Sequence, residues 1–189
     1  VAKGNYQKAL AKFTQTIALK PDFAPAYANR CLVEIELQDY TNAQRDCTEA
    51  LAINPNNESA YLNRGLAHYR LGEYAAAIAD YDRLLSWKPD CLEAYYNRGL
   101  ARESLQQYAE ALKDYDRALE VISLATKTQL AAIYNSRGST YFSLDKYDKA
   151  IEDFDLALKS DPNHISAYYN RACACHRRGD RMNAIVYFT

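Results

Sequence analysis

The sequence has few residues that break helices and no long apolar run. Its 189 residues include only 6 Gly and 5 Pro, too few for the tight turns of an all-β chain. No stretch approaches the roughly 18 consecutive apolar residues of a membrane-spanning helix. The opening VAKGNYQKAL also lacks the charged-then-apolar plan of a signal peptide. We therefore expect no membrane insertion. Charge of one sign is not in excess either: 23 Lys and Arg face 24 Asp and Glu, for a net charge of −1. No broad positive field exists to draw in nucleic acid. The five cysteines, Cys31, Cys47, Cys91, Cys173 and Cys175, are odd in number and include no CxxC pair. A chain of this size needs no disulfide staples, so they read as thiols of a cytoplasmic or other reducing compartment. Nucleotide cradles of the GxGxxG and GxxxxGK[ST] kinds are missing, and no His stands at motif spacing from a Ser or Cys nucleophile. No catalytic residue, cofactor site or metal site is assigned, and the chain is read as a non-enzyme.

What is present is a 49% hydrophobic composition, enough for a substantial core, and 17 Tyr. The tyrosines recur. Tyr27, Tyr61 and Tyr95 are 34 residues apart, Tyr134 follows after 39, and Tyr168 after another 34. Ala9, Ala43, Ala77, Ala111, Ala150 and Ala184 keep the same period with the same insertion, and Pro21, Pro55, Pro89 and Pro162 form a third column. Within one unit, Glu58 to Cys91, apolar residues at helical spacing break at Gly72, resume, and stop at Pro89. Each unit is thus a helical hairpin. Small residues at the eighth position (Gly65, Gly99, Gly138, Ala172) and Ala at the twentieth let two helix backbones approach closely. Aromatic residues at positions four, seventeen (Tyr74, Tyr108, Tyr147) and twenty-four (Tyr81, Tyr115, Phe154, Phe188) fill the gaps between hairpins.

These columns resemble the tetratricopeptide repeat, over the whole chain. The resemblance implies an all-α, right-handed superhelix of antiparallel hairpins. The register gives a half repeat, second helix only, at 1–23. Full repeats follow at 24–57, 58–91 and 92–125, then an insertion at 126–130, a repeat at 131–164 and a truncated repeat at 165–189. Eleven helices are expected. The added residues fall in SLATKTQL, 123–130, without Gly or Pro, and predict longer helices there. Neither end follows the polar cap that stacked repeats need. The sequence therefore reads as an excerpt of a longer protein, and self-association through uncapped ends joins the expectations.

In such a solenoid the first helix of each hairpin lines the concave surface, exposing positions 2, 5, 6, 9, 12 and 13. The sixth column is Asn29, Asn63, Asn97, Ser136 and Asn170, and the ninth is Leu32, Leu66, Leu100, Ser139 and Cys173. An amide offers the donor and acceptor that an extended backbone requires, and leucine offers dry contact. A similar asparagine ladder holds peptide backbone in the O-linked N-acetylglucosamine transferase family. The expected function is a protein-binding scaffold for an extended, largely apolar peptide, with Asn29, Asn63, Asn97, Asn170, Leu66, Tyr69, Tyr96 and Leu100 as contacts. Chaperone-binding members instead clamp an acidic C-terminus with Lys and Arg. Here the stripe has no lysine, and Arg70 and Arg177 are its only basic groups. A third reading is the regulatory or substrate-recruiting arm of a larger enzyme.

Arg30, Arg64, Arg98, Arg137 and Arg171 fill position seven, and Asp46, Asp80, Asp114 and Asp153 fill position twenty-three. An arginine there is costly to bury alone, so ion pairing is predicted, within or between hairpins. Cys173, Cys175 and His176 are close in sequence, but residues two apart on a helix point to nearly opposite faces. Cys175 is read as packed and Cys173 as a small groove residue.

Overall fold

The computed structural model describes residues 3–121 and 126–180. Among the described residues the chain is all helical, with ten α-helices and no strand. It divides into two compact units, Val1–Pro89 and Asp90–Thr189. The first unit holds α1 (Lys3–Leu19), α2 (Ala24–Glu36), α3 (Tyr40–Ile53), α4 (Glu58–Arg70) and α5 (Tyr74–Leu85). The second holds α6 (Leu92–Ser104), α7 (Tyr108–Glu120), α8 (Lys127–Ser143), α9 (Tyr147–Ser160) and α10 (Ile165–Arg178). The expected eleventh helix falls on 181–189, outside the described residues.

Each hairpin turn is built the same way, although only some turns contain glycine. The fifteenth residue of each repeat is left-handed: Gln38 (φ 62), Gly72 (φ 79), Gln106 (φ 58), Asp145 (φ 56) and Gly179 (φ 92). The amide after it reaches back five residues, Asp39 to Glu34 and Glu73 to His68 in the first unit, Gln107 to Arg102 and Lys146 to Tyr141 in the second. These are Schellman closures, and they satisfy carbonyls that the helix end would leave open. At the other end of the hairpin, Pro25 enters the first turn of α2, the Asn57 side chain caps α4, and Thr126 forms a capping box with Gln129 on α8. The insertion lengthens α8 to 17 residues against 13 in α6, while α7 stays at 13. Residues 123–125 of the SLATKTQL segment lie outside the described residues.

The core follows the small-residue columns. Ala43, Ala77, Ala111 and Ala150 have no exposed surface, and neither do Tyr81, Tyr115 and Phe154. The ring of position twenty-four lies across the glycine of position eight. A Cβ placed on Gly65 would stand 2.6 Å from Tyr81 Cε1, one on Gly99 2.6 Å from Tyr115 Cε1, and one on Gly138 2.8 Å from Phe154 Cε1. Only glycine lets the ring close that seam.

The first complete hairpin departs from this plan. Cys31 and Cys47 occupy its eighth and twenty-fourth positions and are joined by a disulfide, with Cα atoms 5.7 Å apart. The expectation that all five cysteines are thiols is corrected here. A pair sixteen residues apart meets because those two columns face one another in every hairpin. Cys91, Cys173 and Cys175 take part in no disulfide among the described residues.

Candidate functional site

First helices of successive repeats touch side by side, α2 with α4 in the first unit, and α6 with α8 and α8 with α10 in the second. Their outward stripe carries the predicted residues. In the first unit Asn29 is exposed and Asn63, Leu66 and Tyr69 are half-buried; in the second Tyr96, Asn97, Leu100 and Asn170 are half-buried. Among the described residues nothing hydrogen-bonds the side chains of Asn29, Asn63 or Asn97.

Asn170 differs. Its amide donates to Asn135 Oδ1 at 3.0 Å and Ser139 Oγ at 3.3 Å, so its hydrogens are already engaged across α10 and α8. Ser136, which breaks the asparagine column, is buried and meets the Tyr96 hydroxyl at 3.3 Å. Glu103, at the twelfth position, accepts from the Tyr115 hydroxyl at 2.9 Å. Burial raises its carboxyl above the usual range, partly countered by hydrogen bonds from Tyr115 and Thr140.

Clefts open on the first-helix side of the second unit. One of about 370 Å³ is lined by Ser139, Phe142 and Ser143 of α8, Phe154 of α9, and Tyr169, Asn170 and Cys173 of α10. Another, of about 90 Å³, lies between Leu92, Glu93, Tyr96 and Asn97 of α6 and Gln129, Ala132 and Ile133 of α8. The larger cleft has no charged residue in its lining and a floor made by the position-twenty-four ring, a shape suited to a bulky apolar side chain. A cleft of about 320 Å³ in the first unit sits against α3, lined by Thr41, Gln44, Arg45, Thr48, Glu49 and His68. It contains none of the predicted contacts.

The arginine row has a structural role. Arg30 binds Asp46 through Nε at 2.5 Å and a terminal nitrogen at 2.7 Å; Arg64 holds Asp80 at 2.9 and 2.6 Å, and Arg137 holds Asp153 at 2.8 and 2.7 Å. Arg98 reaches Asp114 at 2.6 Å. Pairing is therefore within hairpins, in the bidentate geometry that guanidinium and carboxylate share. A second link, missed in the sequence, runs to position twenty-five of the preceding hairpin: Arg30 to Thr14, Arg64 to Thr48, Arg137 to Asp116 and Arg171 to Asp155. The polar residues of that column are the signal that could have found it. The guanidinium groups of Arg30, Arg64, Arg98 and Arg137 also lie over the tyrosine three residues earlier, at 5.9 Å for Tyr27, 5.8 Å for Tyr61, 5.4 Å for Tyr95 and 5.6 Å for Tyr134. The hydrogen bond to Asp153 raises Arg137 further above its ordinary value.

Position eleven also faces these aspartates. His68 stands between Glu73 at 2.6 Å and Asp80 at 3.7 Å, and Arg102 adds a second cation to Asp114 at 2.8 Å. In the first hairpin the same position is Glu34, 8% exposed, whose Oε2 has no hydrogen-bond partner among the described residues. Cys175 is buried and Cys173 lines the larger cleft. Among the described residues no three His, Cys, Asp or Glu side chains gather as a metal-ligand set, and no helix is long and apolar enough to cross a membrane.

Comparison with known proteins agrees with this architecture. Residues 31–88 and residues 90–163 each match a family model described as tetratricopeptide repeat. No curated protein matches the chain. Among solved structures, the MamA protein is 25% identical, with 87% of each chain covered and a TM-score of 0.75. A tetratricopeptide repeat protein from Parabacteroides merdae ATCC 43184 is 26% identical, over 97% of this chain and 71% of that one, with a TM-score of 0.75. YrrB, described as a TPR protein with an unusual peptide-binding site, is 21% identical over 92% of this chain and 87% of its own, at a TM-score of 0.71, a likeness of fold.

Proposed function

Because the chain belongs to the tetratricopeptide repeat family, whose members are protein-interaction scaffolds, we propose that its first-helix faces bind an extended, largely apolar segment of a partner protein without catalysis. The supporting observation is that Asn29, Asn63 and Asn97 present amides that bond to nothing else among the described residues, beside half-buried Leu66, Tyr69, Tyr96 and Leu100. A donor and an acceptor on one side chain match the alternating groups of an extended backbone, while the leucines and tyrosines take side chains. Asn170 contributes by shaping the larger cleft, and by backbone contact only where a ligand displaces Asn135. Protein and not nucleic acid is the partner class, since the stripe offers Arg70 and Arg177 as its only basic groups.

Selection of a random peptide library on the whole protein, followed by calorimetry with a selected peptide, tests this. Amide contacts are worth about 1 kcal/mol each, so Asn63→Ala should weaken binding several-fold. The Asn29→Ala, Asn63→Ala, Asn97→Ala triple variant should lose most of it. Unchanged affinity in a triple variant of intact helicity removes the asparagines from the mechanism.

A further inference from the structure

The seam between the helices of a hairpin is closed in three repeats by a ring lying over glycine, Tyr81 on Gly65, Tyr115 on Gly99 and Phe154 on Gly138. The α2–α3 hairpin has neither ring nor glycine there. Its seam is made by Cys31 and Cys47, both fully buried and bonded to each other. Two cysteine side chains fill far less space than a tyrosine. Unbonded sulfurs must also move apart to van der Waals contact, so the reduced pair would neither fill the seam nor hold it shut.

A second liability sits one turn away. Glu34 is buried against Asp46 with an oxygen that has no hydrogen-bond partner among the described residues, where the equivalent residues of two other hairpins, His68 and Arg102, turn nitrogens toward that aspartate. The non-covalent support of this hairpin is thus the weaker, and the covalent bond stands where support is missing.

We propose that Cys31 and Cys47 form a redox-reversible cross-link on which the folding of the α2–α3 hairpin depends, so that the face carrying Asn29 and Leu32 is assembled in the oxidised protein and loosened in the reduced one. The co-reactant is a small-molecule thiol–disulfide couple. Two external thiols each give one electron and one proton, the Cys31–Cys47 bond breaks to two thiols, and the donors leave joined as their own disulfide. The reverse exchange restores the link. Because both sulfurs are buried, attack follows opening of the hairpin. Cys91, Cys173 and Cys175 occupy other repeats and stay thiols. The consequence for ligand binding rests on the peptide-binding reading above; the cross-link itself does not.

The whole protein is equilibrated with a glutathione couple poised oxidised or reduced. Linked peptides are mapped by mass spectrometry, and amide exchange is followed helix by helix. Closing a loop of sixteen residues is worth roughly a hundredfold in the folding equilibrium. We expect a Cys31–Cys47 linked peptide, and on reduction a rise of about that size in α2–α3 exchange with α8–α9 unchanged. The Cys31→Gly, Cys47→Tyr variant, which restores the pattern of the other repeats, should be protected and indifferent to reductant even if a double serine variant fails to fold. Absence of the linked peptide under oxidising conditions, or unchanged α2–α3 exchange after confirmed reduction, overturns the proposal. If exchange responds while peptide affinity does not, the peptide-binding reading of α2 fails and the cross-link stands.

Discussion

A guanidinium and a carboxylate taken out of water together gain little net energy, because each gives up its hydration. Losing one of them is another matter. Asp153 is 3% exposed, and burial raises its carboxyl pKa while the Arg137 hydrogen bond lowers it. Arg137 also reaches Asp116 on the preceding hairpin and lies over Tyr134, so one side chain joins α7, α8 and α9. Arg137→Met should therefore cost about 3–5 kcal/mol in urea unfolding, the range for a buried charge left unpaired. Adding Asp153→Leu should recover most of that loss, since no buried charge remains. A single variant within about 1 kcal/mol of wild type would show that water reaches Asp153 and that the arginine column is ornamental to stability.

At the scale of a helix pair, α2–α3 should respond to pH in a direction opposite to that of a salt-bridged acid. Glu34 is raised from 4.5 to about 8, by burial first and then by Asp46, with Arg30 opposing and Asp39 adding a little. The sign follows from proton counts. Between 4.5 and about 8 the unfolded chain has released the proton that the folded hairpin still holds. Stability from this group is complete below the unfolded value and is lost as pH rises through the folded one. Amide exchange in α2–α3 should accelerate relative to α8–α9 from pH 6 to pH 8.5, once intrinsic exchange is corrected, and Glu34→Gln should flatten that trend. An identical trend in the variant would assign the effect to another group.

These helix pairs were largely legible in the sequence, because period, glycine and proline punctuate them at fixed offsets. The Arg–Asp pairs followed from two columns of opposite charge. Three features were not legible. Gln38, Gln106 and Asp145 adopt the left-handed turn that sequence reasoning grants to Gly72, since the Schellman closure holds the backbone there whatever the side chain. The disulfide escaped because its cysteines were judged by number and spacing and not by the columns they occupy. Asn170 belonged by phase to the ligand-facing row, yet the preceding repeat supplies Asn135 and Ser139 beside it, a neighbour that periodicity along one helix cannot reveal.

For the molecule as a whole the balance of charge decides how a partner is found and kept. Net charge is −1, so long-range steering of a charged ligand is weak. Four of the five arginines of position seven are spent inside the hairpins on Asp46, Asp80, Asp114 and Asp153, and Arg171 on Asp155 of the preceding one, which leaves the first-helix faces mainly to amides, leucines and tyrosines. Binding through such groups is set by desolvation and hydrogen bonding at contact distance, neither of which is screened by salt. A peptide selected on the protein should therefore change in affinity by less than about twofold as sodium chloride is raised from about 0.05 to about 0.3 M, where a Lys and Arg clamp on an acidic tail would weaken roughly tenfold. Its association rate should sit near the unsteered range of about 10⁵–10⁶ M⁻¹s⁻¹. A steep salt dependence abolished by Arg70→Ala and Arg177→Ala would instead identify a charged ligand held by those two residues, and would move the binding determinants from the asparagine column to position thirteen.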